Sequence, residues 1–181
     1  MEVGEVLNCL VSACAPEAMP PNWFLFWAYV SLSVRMLIGG AIFYAILWQD
    51  IPTVVSLSGG AIVVGTGYSL KAVIGHERQF PDCGLGHAMP SMHALLAGYF
   101  ATYYAICFWR YSDWGWARLI YRMTVVGAYA TLVCVSRVQL RAGDAMEVFV
   151  GVLLGSASAM AMLHFLMYAL QTALPGNIKQ D

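Results

Sequence analysis

Long apolar runs alternate with short polar or proline-containing connections over most of the chain. Five such runs lie at residues 23–48, 53–75, 92–109, 119–136 and 147–170. About 20 consecutive apolar residues are enough for a helix to cross a hydrocarbon core of roughly 30 Å. The pattern therefore predicts an all-α fold, a polytopic transmembrane helical bundle of about five spans.

Composition supports a membrane protein and excludes several other classes. Of the 181 residues, 60% are hydrophobic and 10% are charged, against roughly 25% charged residues in a soluble domain. The net charge is −1 and no basic run is dense, so we expect no nucleic-acid partner. The five cysteines lack any Cys-x-x-Cys spacing, which favours packing thiols over a zinc or redox site. We expect no metal and no other cofactor.

The pattern divides the chain into one membrane domain with two short flanking segments. Residues 1–22 place apolar side chains at helical spacing before a proline-containing break, which predicts an N-terminal interfacial segment. This segment is acidic and lacks a long apolar stretch, which argues against a cleaved signal peptide. Residues 23–171 form the predicted transmembrane domain, and residues 172–181 form a C-terminal tail.

Basic residues lie on both sides of the predicted bundle. With five spans, the connections near 76–91 and 137–146 share one side with the N-terminus. The opposite side holds Arg110, Arg118, Arg122 and Lys179. Because basic residues favour the cytoplasmic side, the first side is expected to face the lumen or the exterior. That first side nevertheless carries four cations, Lys71, Arg78, Arg137 and Arg141.

A hydroxyl and an imidazole lie beside these cations, because Ser91 and His93 stand where the third run begins. A dianionic phosphate suits such a site, since guanidinium groups present planar forks of donors and the first amides of a helix add neutral donors. An imidazole is also suited to protonating a leaving oxygen near neutral pH. The cluster therefore predicts a phosphate-binding site.

The order of these residues resembles the three-part signature of the type 2 phosphatidic acid phosphatase and haloperoxidase superfamily. The matching positions are Lys71-x6-Arg78, Pro90-Ser91-x-His93 and Ser136-Arg137. The resemblance implies a general-acid role for His93 and chemistry without a metal ion. It implies that the phosphoryl group is bound by Lys71, Arg78, Ser91 and Arg137.

The residues flanking these motifs are most similar to the dolichyl diphosphate phosphatase branch. The flanking stretches are Ser56-Leu57-Ser58-Gly59-Gly60, Met89-Pro90 and Val138-Gln139-Leu140. This resemblance implies a lipid phosphate as the substrate, a polyprenyl diphosphate of the dolichyl type, taken from among the membrane lipids. It also implies residence in the endoplasmic reticulum, with the site facing the lumen.

Three positions depart from the superfamily pattern: Gln79 and Met92 stand where proline and glycine are common, and the third departure, at position 143, is the serious one. Gly143 stands six residues after Arg137, where the superfamily has the histidine that attacks phosphorus, although the acidic residue four positions further on is present as Glu147. Loss of a nucleophile costs about 10⁶ in rate in a well-studied hydrolase. The departure therefore bears directly on whether the chain is an enzyme.

Three hypotheses stay open at this stage. In the first, another group attacks phosphorus: the carboxylate of Asp144, or His76 or His87 on the neighbouring connection. In the second, water attacks, with Asp144 or Glu147 as the base. In the third, the chain is a catalytically degenerate relative that binds a lipid headgroup or serves as a structural subunit of a membrane complex.

Features inside the predicted spans point to packing rather than chemistry. Small residues around Gly59 and Gly155 predict close contacts between helices. His164 lies about 26 Å along its helix from Glu147 at 1.5 Å per residue, too far from His93 for the two to share a haem, and we expect it in the core. Arg35 stands mid-span, where a charge costs roughly 2.5–3.5 kcal/mol, and the sequence names no partner for it.

Overall fold

The computed structural model describes residues 20–75, 89–111 and 115–173, and these residues form five α-helices. The helices are α1 (Pro21–Trp48), α2 (Ile51–Ile74), α3 (Met92–Tyr111), α4 (Trp116–Gln139) and α5 (Ala145–Ala173). The predicted all-α bundle is confirmed, with one helix for each apolar run. The interfacial segment and most of the tail fall outside the described residues, so the domain division stays a prediction.

Four of the described helices, α1, α2, α4 and α5, are long and apolar enough to cross a membrane. Large apolar side chains on them face outward, including Phe43, Ile62 and Phe165. Such exposure is costly in water and is the normal state of a side chain in contact with lipid. The chain is therefore an integral membrane protein.

The third predicted span, α3, is not among these four helices, and it carries several tyrosines, Thr102 and His93. It is the central helix, packed against α5, α4 and α2. Its polar groups find partners on neighbouring helices: Tyr99 Oη donates to the carbonyl of Ser56 at 3.2 Å, and Thr102 Oγ1 bonds Ser156 Oγ at 2.9 Å. Because protein surrounds α3, its side chains need not be apolar on every face.

The contact between α3 and α5 depends on glycines. A Cβ atom at Gly98 would lie 2.6 Å from the carbonyl oxygen of Val152, and one at Gly151 would lie 2.8 Å from that of Ser91. A Cβ atom at Gly155 would overlap the carbonyl oxygen of Leu95. The two backbones therefore approach as closely as small residues allow, and the predicted packing role of Gly155 is confirmed.

A two-residue connection makes α1 and α2 antiparallel. Gln49 adopts a left-handed conformation (φ 50°) that ends α1, and the Asp50 carboxylate accepts a hydrogen bond from the Thr53 amide at 3.0 Å to begin α2. Successive helices run in opposite directions across the bundle. One side of the bundle therefore holds the beginnings of α1, α3 and α5 together with the ends of α2 and α4. We call this end of the bundle the site side and the opposite end the far side.

His164 corrects one sequence-based expectation. It is exposed on α5 instead of buried in the core. The buried stripe of α5 runs through Glu147, Val148, Gly151, Gly155 and Ala159. Beyond Ala159, the half-buried Met162 and Leu163 continue the stripe against the core, which leaves the next residue turned outward.

Candidate phosphate-binding site

Residues from three helices meet on the site side. Lys71 lies in the last turn of α2, His93 is the second residue of α3, and Arg137 lies in the last turn of α4. All three are half-buried. Arg137 and Lys71 both lie close enough to His93 to act on its imidazole electrostatically. The fold thus brings together residues that are 22 to 66 positions apart in the sequence.

A hydrogen bond fixes the direction of the Arg137 side chain. Its Nη1 donates to Ser31 Oγ of α1 at 3.0 Å. The guanidinium therefore extends from the end of α4 across to α1. A planar guanidinium held in this way has a fixed orientation, and the planar fork of donors suits an anion with several oxygen atoms.

The beginnings of α3 and α5 are joined beside these cations. Ser91, which precedes α3, is 5% exposed, and its amide donates to the carbonyl oxygen of Glu147 at 3.3 Å. The first amides of a helix lack acceptors within the helix, and the helix dipole places partial positive charge there. The beginnings of α3 and α5 lie side by side, and together they favour a bound anion. This agrees with the expectation that Ser91 and the first amides of the third helix donate to a phosphate.

Glu147 stabilises the beginning of α5. It is 4% exposed, and its Oε2 accepts a hydrogen bond from the backbone amide of Asp144 at 3.2 Å. This is half of a capping box, in which an acidic side chain reaches back to the residue before the helix. A Cβ atom at Gly143 would lie 2.8 Å from the same Oε2. Position 143 therefore lies directly against the acidic residue, although the chain has no side chain there.

The other candidates divide into two groups. Arg141 is exposed and left-handed (φ 49°) in the turn that joins α4 to α5. Arg78, His76 and His87 fall in 76–88, outside the described residues, so their roles stay predictions. Within the described residues, no three side chains of His, Cys, Asp or Glu lie together as a metal site would require.

A cavity of about 340 Å³, which the sequence pattern did not indicate, opens between α1, α2, α3 and α4. At the end nearest the site it is lined by Val34, Leu96 and Val133. Leu96 lies three residues after His93, and Val133 lies four residues before Arg137, so each is about one helical turn from the cation cluster. The lining is almost wholly apolar, and the volume is within the range of small-molecule sites.

Arg35, for which the sequence names no partner, is exposed on α1. Arg35 acts on His93 electrostatically together with Arg137 and Lys71. The signal was present in the sequence as a charge in the middle of an apolar run. The direction of the Arg35 side chain could not be predicted, because helix spacing alone does not show which neighbour a side chain faces.

The fold of this chain matches that of a solved membrane phosphatase. The crystal structure of the first transmembrane PAP2-type phosphatidylglycerolphosphate phosphatase from Bacillus subtilis aligns with a TM-score of 0.65. The alignment covers 92% of this chain and 87% of that chain, at 18% sequence identity. No family model matches the sequence, and no curated protein matches it. At this identity the likeness shows a shared fold: the chain is a transmembrane helical bundle of the PAP2-type phosphatase architecture.

Proposed function

We propose that this chain is a lipid phosphatase-like protein of the type 2 phosphatidic acid phosphatase superfamily, acting on a polyprenyl diphosphate. The observation that carries the proposal is the convergence of Arg137 and Lys71 on His93, beside the joined beginnings of α3 and α5. The shared fold with a PAP2-type phosphatase and the three ordered motifs support it. Arg78 completes the phosphate-binding set through the resemblance.

The cavity supports a substrate with a long apolar tail. A phosphoryl group held at the cation cluster would leave the rest of a lipid at the entrance between Leu96 and Val133. An apolar chain gains roughly 25 cal/mol for each Å² of surface that it buries against such a lining. The choice of a polyprenyl chain follows the resemblance to the dolichyl diphosphate branch. By the same resemblance the site faces the lumen of the endoplasmic reticulum.

The proposed reaction begins with in-line attack on the terminal phosphorus atom. An oxygen of the Asp144 carboxylate forms a bond to phosphorus, the bond from phosphorus to the leaving oxygen breaks, and His93 protonates that oxygen. Water then attacks the acyl phosphate with Glu147 as the base, which releases phosphate and restores Asp144. Arg137 and Lys71 stabilise the charge of the transition state. Hydroxylamine should trap the acyl phosphate on Asp144. Turnover without a trapped adduct would mean that water attacks directly or that His76 or His87 attacks in place of Asp144.

The experiment measures phosphate release from a polyprenyl diphosphate by the purified protein. His93→Ala should lower kcat by about 10²–10⁴, the usual contribution of a general acid. His164→Ala is the matched control, because His164 is exposed on α5 away from the cluster, and it should leave kcat unchanged. Equal rates for the wild type and His93→Ala would contradict the proposed role.

A second candidate function is binding without hydrolysis. Two observations favour it: Gly143 stands at the nucleophile position, and the Glu147 carboxylate is held by the Asp144 amide. This candidate predicts that the wild type binds the labelled diphosphate lipid, that Arg137→Gln weakens that binding, and that no phosphate is released. Phosphate release that depends on His93 would exclude it.

A further inference from the structure

Arg35 shares one face of α1 with the residue that binds Arg137. Ser31, which accepts the hydrogen bond from Arg137 Nη1, precedes Arg35 by four residues. Residues at this spacing lie one above the other on a helix, about 6 Å apart along its axis. The Cα atom of Arg35 therefore lies one turn deeper in the bundle than the point where Arg137 contacts α1.

The direction of α1 determines where the Arg35 side chain extends. Side chains in a helix lean toward its N-terminus, and α1 begins on the site side. The guanidinium of Arg35 consequently leans back toward the level of Ser31 and Arg137. The electrostatic action of Arg35 on His93 agrees with this direction. Arg35 is exposed on α1, and a charge at this depth of a membrane is costly unless it faces other polar groups or water. A headgroup bound beside the cation cluster would supply such a group.

Arg35 also adjoins the cavity. Its neighbour Val34 is buried and lines the cavity at the same end as Leu96 and Val133. Arg35 itself is exposed and is not part of the cavity lining, but its depth along α1 is between the level of the cation cluster and that of the cavity. A lipid diphosphate bound with its terminal phosphate in the cluster and its tail in the cavity would have its inner phosphate at this intermediate level.

We infer that Arg35 binds the inner phosphate of a lipid diphosphate and thereby selects diphosphate over monophosphate lipids. The inference rests on the function proposed above. When the terminal phosphoryl group is transferred, the bridging oxygen and the inner phosphate leave together as a lipid monophosphate, and negative charge grows on them. A guanidinium at that level stabilises this charge as well as the bound diphosphate. A lipid monophosphate has no group for Arg35 to bind.

The test compares a polyprenyl diphosphate with the monophosphate of the same chain length. Arg35→Gln should lower the ratio of kcat/KM for the diphosphate to that for the monophosphate by about 10- to 100-fold, the loss typical of one hydrogen bond to a charged group. Arg35→Lys should restore part of the ratio, because the charge returns without the planar fork. Arg137→Gln should lower both activities, and Arg118→Gln, on the far side, should leave both at the wild-type level.

The outcomes separate this inference from the function on which it rests. Equal loss for both lipids in Arg35→Gln would make Arg35 a general member of the cluster and overturn the inference. If Arg35→Gln unfolds at the wild-type temperature and leaves the ratio of kcat/KM for the diphosphate to that for the monophosphate unchanged, Arg35 does not contact the inner phosphate. That result would also overturn the inference. If the wild type binds without turnover, the same ratio is measured with dissociation constants. A wild type that neither binds nor hydrolyses either lipid would refute the proposed function itself.

Discussion

The two flanks of α3 are packed in opposite ways. On the side of α5, Gly98, Gly151 and Gly155 bring the backbones into contact and leave no space. On the side of α1 and α4, the helices enclose a cavity of about 340 Å³. The closed flank holds Ser91 and the beginning of α5 in fixed positions, whereas the open flank has room for an apolar chain. If the proposed function is correct, one flank supplies rigidity to the site and the other receives the lipid tail.

The largest predicted effect on stability comes from adding one methyl group to the closed flank. Gly155→Ala should lower the free energy of unfolding by about 1–3 kcal/mol, because its Cβ atom meets backbone atoms of Leu95 that cannot move aside. Thermal unfolding of the protein in detergent measures this. Gly65→Ala is the control, since nothing lies within 4 Å of its Cβ position, and it should be neutral or stabilise by up to ~1 kcal/mol. Equal losses of stability in Gly155→Ala and Gly65→Ala would contradict the claim that the flank facing α5 is tightly packed.

Filling the open flank should affect substrate binding and leave stability near the wild type. Ala130→Phe places a ring in the cavity, so KM for a long-chain polyprenyl diphosphate should rise about 10-fold, which corresponds to roughly 1.4 kcal/mol. KM for a short-chain analogue that does not reach the cavity should stay unchanged. Ala128→Phe adds the same ring at an exposed position of α4 outside the cavity lining. If both variants raise KM alike, the cavity is not the site of the tail.

The smallest predicted effect compares one hydrogen bond from each flank. Tyr129 Oη and Ser33 Oγ are 2.8 Å apart beside the cavity, and Thr102 and Ser156 bond across the closed flank. Tyr129→Phe and Thr102→Val should each lower the free energy of unfolding by about 0.6 kcal/mol, the average for such bonds in membrane proteins. A loss several times larger for Tyr129→Phe would show that this bond holds the open flank together.

The sequence was sufficient for the number, order and approximate limits of the helices. In a membrane protein, however, apolar residues cover nearly every face of a helix, so the pattern does not show which face packs against a neighbour. For that reason the sequence could not indicate that α3 is central, that His164 is exposed or that a cavity exists. The same holds for Arg35: its position in the middle of a span followed from the sequence, but the residues around its side chain did not.

The candidate site was predictable to the extent that topology determines it. Once five helices alternate in direction, Lys71, His93 and Arg137 must lie on one side, whatever their separation in the sequence. The contact of Arg137 with Ser31 and of Glu147 with the Asp144 amide depends on side-chain direction and tight packing. The contact of Arg137 with Ser31 has no signature in residue order, whereas Asp144-x-x-Glu147 has the spacing of a capping box and could have been read from the sequence.

The central claim is that cations from separate helices meet at His93 to hold a lipid phosphate. A structure of the protein bound to a non-hydrolysable polyprenyl diphosphonate tests it most directly. We predict oxygen atoms of the terminal phosphonate at about 2.7–3.2 Å from donors of Arg137, Lys71 and His93, with the inner phosphonate beside Arg35 and the tail between Leu96 and Val133. A headgroup bound on the far side, or beyond hydrogen-bonding distance of all three residues, would contradict the account.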